Sequence, residues 1–367
     1  MKVRYSYLKQ QFSNCPELWS KLKKFVSTGD FTLGKPLQEF ENNFAKLIGT
    51  KYAVGVNSGT DAIKLSLKTI GIKQGDEVIT AANTFVATVG AIRELGAKPI
   101  FVDCDDTFCM DVKLVEKKIT KKTKAIVPVH FTGYMTNMPE LIKVATKYNL
   151  PIIEDACQSI LGEINKKKAG QWGDFGTFSL HPLKNINVWS DGGIITTNSL
   201  KHYKHLRLLR NHGLKDRDTV EINGYNSRLD TFQAVVGNWL LPKAKKIADQ
   251  RIVNAKFYDN ELSKIKEIQI PPRPYNYKIV YHLYVVFAKK RDQLLKYCLQ
   301  KGIEAKVHYP KPMYLQRSQK DLGHKKGDFP ITDLHTKKII TFPCDQHLSK
   351  KELKYVIKVV KNFYKYK

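Results

Sequence analysis

Short apolar segments alternate with amphipathic segments from about residue 30 to about residue 240. The apolar segments have the length of strands and the amphipathic ones the period of helices, so the alternation predicts an α/β domain. Three predicted strands end in a polar residue, Asp103, His130 or Asp155, which places these side chains at the carboxyl edge of the sheet, where ligands of open α/β sheets bind. The predicted strands cover residues 77–80, 99–103, 124–130 and 151–155, and the predicted helices cover residues 62–70, 84–95 and 139–148.

The last third of the chain has a different pattern. A long helical stretch over residues 227–262 leads away from the α/β segment, and the proline-rich run Pro271–Pro274 follows it. Apolar and polar residues alternate from Tyr281 onward, and a helix is predicted over residues 349–366. We therefore expect a large α/β domain over residues 1–245 and a smaller C-terminal α+β domain over residues 246–367.

The chain is strongly basic. Lysine and arginine together number 62 against 34 aspartates and glutamates, for a formal charge of +28. Only ten of the 62 are arginine, the residue that most often reads bases and grips phosphates as a fork. We interpret the excess as a lysine-rich, solvated surface. Attraction of anionic small substrates stays open as an alternative, whereas binding of nucleic acid is disfavoured.

Other features narrow the class of protein. No apolar run approaches the roughly 20 residues needed to span a bilayer, and the first residues lack the apolar core of a signal peptide. The six cysteines are scattered, and no neighbouring histidine or cysteine completes a metal set. The sequence thus predicts a reduced, cytoplasmic protein with no metal site and no membrane association.

One pair of residues carries the strongest chemical signal. Asp155 closes an apolar strand, and Lys184 lies in the polar loop that follows Phe178-Ser179. A pyridoxal phosphate enzyme needs such a pair, because the lysine forms the Schiff base and the aspartate keeps the pyridine nitrogen protonated, so that the ring accepts electrons. The chain shows no Ser/His/Asp order, P-loop or GxGxxG motif to support a hydrolase, NTPase or dehydrogenase.

Further segments could complete such a site. The segment Asn57-Ser-Gly-Thr-Asp-Ala62 follows the apolar run Tyr52–Val56 and precedes a helical pattern. A turn of small residues between a strand and a helix start suits a phosphate but is also an ordinary helix cap. Phe85 could stack on a planar ring, or it could be a core residue. In Val307-His308-Tyr309-Pro310, a structural or substrate-lining role for His308 is favoured over a catalytic one. His130 and His181 are interpreted as structural or supporting residues.

Taken together, these motifs resemble those of the DegT/DnrJ/EryC1/StrS sugar aminotransferases of fold type I. The resemblance runs nearly from end to end of the chain. It implies a large domain with a mixed, mostly parallel sheet and a smaller C-terminal α+β domain. The matching motifs are 29–34, 57–62, 75–78, 84–85, 154–158, 173–176, 178–193, 210–213, 224–228 and 308–310.

The resemblance also implies roles for single residues. Lys184 would be the Schiff-base lysine and proton shuttle, and Asp155 would pair with the pyridine nitrogen. Gln158 would contact the ring hydroxyl, and Phe85 would cover the ring face. Gly59, Thr60 and Ser179 would hold the phosphate. Asn226 would reach the phosphate from a neighbouring subunit, which makes the protein a homodimer with shared active sites. His308 and Tyr309 are candidate substrate contacts.

The implied reaction is transamination of a nucleotide-linked keto sugar with L-glutamate as amino donor, for the amino sugars of a surface polysaccharide. Asp191, where many members have glutamate, resembles members that act on 3-keto sugars. Leu183, Asn187 and Trp189 resemble members that act on an oxidised octulosonic acid, with an 8-amino-3,8-dideoxy-octulosonate as product. A sugar dehydratase on the same fold would have histidine at position 184. The other alternative, a non-catalytic regulatory or nucleic-acid-binding protein, is supported by the basic charge alone.

Overall fold

The computed structural model describes residues 1–365. Within them lie twelve α-helices: α1 (Leu8–Phe12), α2 (Pro16–Val26), α3 (Lys35–Ile48), α4 (Gly59–Thr69), α5 (Val86–Glu94), α6 (Met138–Lys147), α7 (Leu200–Leu209), α8 (Thr231–Leu240), α9 (Ala244–Leu262), α10 (Arg291–Gln300), α11 (Pro330–Lys338) and α12 (Lys350–Lys365). Short 3-10 turns cover Val112–Leu114, Glu116–Lys118, Phe131–Gly133, Leu241–Lys243, Met313–Leu315 and Arg317–Leu322.

Thirteen strands accompany these helices in residues 1–365: β1 (Tyr52–Val56), β2 (Glu77–Ala81), β3 (Lys98–Val102), β4 (Thr123–Val127), β5 (Ile153–Asp155), β6 (Glu163–Ile164), β7 (Lys167–Lys168), β8 (Phe175–Ser179), β9 (Gly193–Thr197), β10 (Ile268–Gln269), β11 (Tyr277–Lys278), β12 (Tyr284–Ala288) and β13 (Ile339–Phe342).

Seven of the strands form the central sheet, in the order β3-β2-β4-β5-β8-β9-β1. Parallel bridges between Ile126 and Ile152 and between Val129 and Asp155 join its two halves, at β4 and β5. β9 runs in the opposite direction to the other six strands, so the sheet is mixed and mostly parallel, as expected. The inner strands β5, β8 and β9 are buried at every position, as are strands of a sheet that is covered on both faces.

Helices α3 and α8 pack closely on the β1 side of the sheet. Gly237 in α8 permits this contact, because a Cβ atom there would lie 2.6 Å from the ring of Phe40 in α3. Arg210 forms a buried ion pair with Glu41 of α3 and also donates to the Gly55 carbonyl of β1 at 2.8 Å. These contacts fix β1, and therefore the start of the helix that follows it, in place.

The C-terminal part has its own small antiparallel sheet, β10-β12-β13, which α10 and α11 contact, and α12 packs on α10 and α9. The N-terminal residues join it, since Val3 donates to the Gly302 carbonyl at 2.8 Å and accepts from the Glu304 N–H at 3.0 Å. The predicted division at residue 245 falls at the start of α9 and stays a prediction.

Three predicted helices are corrected. The helical stretch expected over residues 227–262 begins at Thr231 and is interrupted at Leu241–Lys243, because Pro242 has no N–H to donate to the α-helical ladder. The helix expected from residue 84 begins at Val86, since Phe85 is extended, with φ −71° and ψ 147°. The last helix runs from Lys350 to Lys365, and the predicted end at Tyr366 lies outside the described residues.

None of the helices within residues 1–365 combines the length and the apolar character that crossing a bilayer requires. All six cysteines are free thiols, and five of them are buried.

Candidate active site

A cavity of about 300 Å³ opens where the carboxyl ends of the central strands meet residues of the C-terminal part. It brings together nine of the ten residues proposed from the sequence. These are Gly59, Thr60, Phe85, Asp155, Gln158, Ser179, Lys184, His308 and Tyr309.

Asp155 is the last residue of β5, and its side chain is held by two donors. The Thr88 hydroxyl donates to Oδ2 at 2.7 Å, and the Cys157 N–H donates to Oδ1 at 3.2 Å. The carboxylate is 6% exposed but forms no salt bridge with another residue of the described chain. A buried carboxylate that is held by neutral donors suits a cationic ligand group.

Lys184 follows β8 in a tight turn. Its N–H donates to the His181 carbonyl at 2.8 Å, and the Asn187 side-chain amide donates to the Lys184 carbonyl at 2.9 Å. Burial lowers the pKa of the Lys184 amine, which increases the fraction of the neutral, nucleophilic form. Burial also raises the pKa of the neighbouring Cys157 thiol well above its usual value, so this thiol is not ionised near neutral pH.

The start of α4 forms one end of the cavity. Ser58 caps the helix by accepting the Asp61 N–H at 3.1 Å, while the N–H groups of Gly59 and Thr60 have no acceptor within the helix. Glycine is required at position 59 because the backbone there lies close to Ser179, and a Cβ atom would lie 2.7 Å from Cβ of Ser179. Free N–H groups, the positive helix end and the Ser179 hydroxyl together suit a phosphate.

Aromatic and amide groups lie on the other side of the cavity. Phe85 is 50% exposed and lies 6.0 Å from the ring of Tyr309, measured between centroids, so it is not a core residue. The Gln158 carbonyl oxygen accepts the Thr132 N–H at 2.7 Å, which leaves its amide N–H₂ for other partners. These groups could cover and hold a planar polar ring.

The His308 ring is fixed by a 2.9 Å hydrogen bond between Nδ1 and the Thr341 hydroxyl. Burial, with the positive charges of Lys306 and Lys184, lowers the pKa of His308 to about 4. His308 is therefore neutral near pH 7 and leaves Nε2 as a polar contact for a ligand.

Asn226 lies apart from this cavity. It is exposed and lines a separate hollow together with Asn57, Phe31 and Arg228. The structure therefore gives Asn226 no contact with the cavity of its own chain.

Several residues of the wall or directly behind it were not singled out from the sequence as part of the site. Thr88 lies behind the wall, where it donates to Asp155, and its position four residues after Thr84 was a usable sequence signal, since the two hydroxyls lie 2.8 Å apart. Tyr5, His282 and Lys306 had none, because they come from both ends of the chain and meet the cavity only through the tertiary fold. The two other histidines fit their supporting roles: His130 is buried against Glu154 at 2.9 Å, and His181 shapes the lysine turn.

The arrangement fits pyridoxal phosphate. The free N–H groups at the start of α4 and Ser179 could hold its phosphate, the buried Asp155 carboxylate could face its ring nitrogen, and Lys184 could attach to its aldehyde. No cluster of three His, Cys, Asp or Glu side chains that could bind a metal is found within residues 1–365.

Comparison with known proteins identifies the family of the chain. Residues 15–361 match the model of the DegT/DnrJ/EryC1/StrS aminotransferase family. The chain is 35% identical to a pleiotropic regulatory protein of Geobacillus stearothermophilus, with all of both chains covered. It is 34% identical to the UDP-N-acetyl-3-dehydro-α-D-glucosamine 3-aminotransferase of Acidithiobacillus ferrooxidans, over 94% of this chain and 93% of that one.

Solved structures agree. DesV of S. venezuelae, in complex with a ketimine intermediate, superposes with a TM-score of 0.96 at 32% identity, over 99% of this chain and 98% of that one. NtdA of Bacillus subtilis, with the bound cofactor PMP, gives a TM-score of 0.92 at 28% identity, over 99% of this chain and 85% of that one. The chain belongs to the DegT/DnrJ/EryC1/StrS aminotransferase family and is a pyridoxal-phosphate-dependent sugar aminotransferase of fold type I.

Proposed function

We propose that the protein transfers the amino group of L-glutamate to a nucleotide-linked keto sugar, as a step in making the amino sugars of a surface polysaccharide. The observation that carries the proposal is the meeting of Lys184, Asp155 and the start of α4 around one cavity. Relatives whose names give UDP-linked or dTDP-linked sugars support a nucleotide-linked substrate. Pyridoxal phosphate supplies the electron-accepting ring that makes the Cα proton of an amino donor acidic.

The residues have separate tasks in this proposal. Asp155, oriented by Thr88, keeps the ring nitrogen protonated. Lys184 would hold the cofactor, and its amine would carry the proton that leaves Cα of the donor in the first half-reaction and the proton that reaches the sugar carbon in the second. Gly59, Thr60 and Ser179 would hold the phosphate, Phe85 would cover the ring and Gln158 would contact its hydroxyl. His308 and Tyr309 contact the substrate.

An oxidised octulosonic acid is the second candidate substrate. Leu183, one of the three residues behind this alternative, lines the cavity itself. Asn187 supports the Lys184 turn, and Trp189 packs against Phe12 instead of lining the cavity. Of the three residues, Leu183 is therefore the one that lies where it could contact a substrate. The presence of Lys184 and of the full cofactor-binding set favours transamination over dehydration or a purely regulatory role.

The two half-reactions test the proposal separately. We expect L-glutamate to convert the cofactor of the loaded enzyme to its amine form, with the change in absorbance that this conversion produces. The amine-form enzyme should then be reoxidised by at least one keto sugar from a panel of UDP-linked and dTDP-linked 3-keto sugars and the 8-oxo octulosonate. An enzyme that reacts with glutamate but with none of these sugars would contradict the proposed substrates.

The proposed homodimer makes a further prediction. If Asn226 completes the partner's site, mixing Lys184→Ala and Asn226→Ala subunits should create heterodimers with one intact site. After full exchange of equal amounts, about one quarter of the wild-type activity is expected from random pairing. As a control, mixing Lys184→Ala with Asp155→Asn should restore nothing, because both residues line the cavity of the same chain. Equal results in the two mixtures would show that Asn226 acts within its own chain.

A further inference from the structure

The charged residues of the cavity wall are few. Among the described residues that line it, the carboxylates and amines belong to Asp155, Lys184, Asp191 and Lys306. Asp155 and Lys184 are taken up by the cofactor in the proposed function. Burial lowers the pKa of His308 to about 4 and that of His282 well below its usual value, so neither adds positive charge near neutral pH. Lys306 is therefore the lysine of the described wall that is left for a substrate.

Lys306 is held in a defined place. Its N–H donates to the Thr341 carbonyl at 3.0 Å and its carbonyl accepts from the Thr341 N–H at 2.8 Å. Its ammonium group lies 4.1 Å from the ring centroid of Tyr5, at the distance of a cation–π contact. The Tyr5 N–H donates to Glu304 at 2.9 Å, and the Tyr5 ring stacks on the His308 ring, with centroids 5.9 Å apart and 29° between the planes.

This ammonium group has no acidic partner in residues 1–365. Glu304 is paired with Lys2 at 3.7 Å, and Asp345 is paired with Arg251 at 3.6 Å. Asp191 forms no salt bridge with Lys306, although both residues line the same cavity. An ammonium group that rests on an aromatic ring keeps its three N–H donors, so it can still bind an anion from the cavity.

We propose that Lys306 pairs with an anionic group of the keto-sugar substrate and thereby determines which sugars are accepted. The inference rests on the proposed function and gives it a substrate class, an anionic sugar. Two groups share the required chemistry: a carboxylate on the sugar, and the diphosphate that links a sugar to its nucleotide. The stack of Lys306, Tyr5 and His308 then forms the sugar-binding part of the cavity wall.

Two variants separate charge from shape. Lys306→Met removes the charge but keeps the length of the side chain, and Lys306→Arg keeps the charge. We expect Lys306→Met to raise the KM for the sugar about tenfold, as for loss of a hydrogen bond to a charged group, and Lys306→Arg to raise it no more than about threefold. The glutamate half-reaction, followed by cofactor absorbance, should stay within about twofold of the wild type in both variants.

Three sugars identify the anion. UDP-N-acetyl-3-dehydro-α-D-glucosamine carries only the diphosphate, UDP-2-acetamido-2-deoxy-3-oxo-D-glucuronate carries both groups, and the 8-oxo octulosonate carries only a carboxylate. A loss in Lys306→Met on both UDP sugars but not on the octulosonate assigns Lys306 to the diphosphate. A loss on the two carboxylated sugars alone assigns it to the carboxylate.

Other results would overturn the inference. The inference fails if Lys306→Met and Lys306→Arg have equal KM values for each sugar that reacts. It also fails if either variant slows the glutamate half-reaction as much as the sugar half-reaction. If the wild-type enzyme aminates none of the sugars, the proposed function fails instead. In that case calorimetric binding of UDP and of 3-deoxy-octulosonate to the amine-form enzyme still tests Lys306, because at least one ligand must bind more weakly to Lys306→Met than to Lys306→Arg.

Discussion

Replacing Lys184 by alanine is expected to abolish transamination and leave the fold intact. The Lys184 side chain lies at the cavity wall, where burial lowers its pKa, and its turn is held by backbone contacts that alanine preserves. Among residues 1–365, Lys306 is the one other lysine that lines the cavity, and its ammonium group lies on the Tyr5 ring, so the described residues place no second amine to replace Lys184. We expect a loss of about 10⁴-fold or more in the single-turnover rate with L-glutamate, because one residue is both the attachment point and the proton carrier.

The matched control is Lys311→Ala, which removes an exposed lysine three residues after His308 and outside the cavity. It should react with glutamate at the wild-type rate. Thermal unfolding should show similar midpoints for both variants when each is measured without cofactor. Near-normal turnover by Lys184→Ala would remove the basis for the proposed site, whereas a lowered unfolding midpoint would show that the lysine supports the fold.

The sequence predicted those parts of the site whose residues lie at the ends of strands or at the start of a helix. Asp155 and Ser179 end neighbouring parallel strands, and Gly59 begins the helix after β1, so local pattern and sheet geometry bring them together. The position of Lys184 was predictable for the same reason, since it lies in the turn that continues from β8.

The remainder of the wall depends on tertiary contacts that no local pattern encodes. Tyr5 reaches the cavity because Val3 pairs with residues of the C-terminal part nearly 300 positions away along the chain. Lys306 looks like any other lysine of a lysine-rich surface until Tyr5 is placed under its ammonium group. Pro242 predicts the interruption of the long helix, but the segments on both sides of the proline are helical, which concealed the break between α8 and α9.

Replacing Asp155 by asparagine is expected to lower the transamination rate by at least about 10²-fold, the scale of a removed electrostatic contact in an active site. Asparagine keeps the size and can still accept the hydrogen bond from Thr88 or from the Cys157 N–H, but it has no charge. Without that charge the ring nitrogen of the cofactor loses its proton more easily, and Cα of the donor becomes a weaker acid. The measurement is the single-turnover rate with L-glutamate, together with the absorbance of the bound cofactor.

Asp103→Asn is the matched control, because Asp103 follows the parallel strand β3 as Asp155 ends β5. Asp103 accepts the N–H groups of Ile331 and Thr332, at 2.9 and 2.8 Å, and so caps α11 outside the cavity. Asparagine has one acceptor oxygen where aspartate has two, so one of these N–H groups loses its partner, which should cost about 1 kcal/mol of stability with little change in rate. If Asp155→Asn behaves in the same way, with reduced stability and an unchanged rate, its carboxylate does not face the ring. The strand-end carboxylate would then be a structural residue, and the ring nitrogen would need another partner.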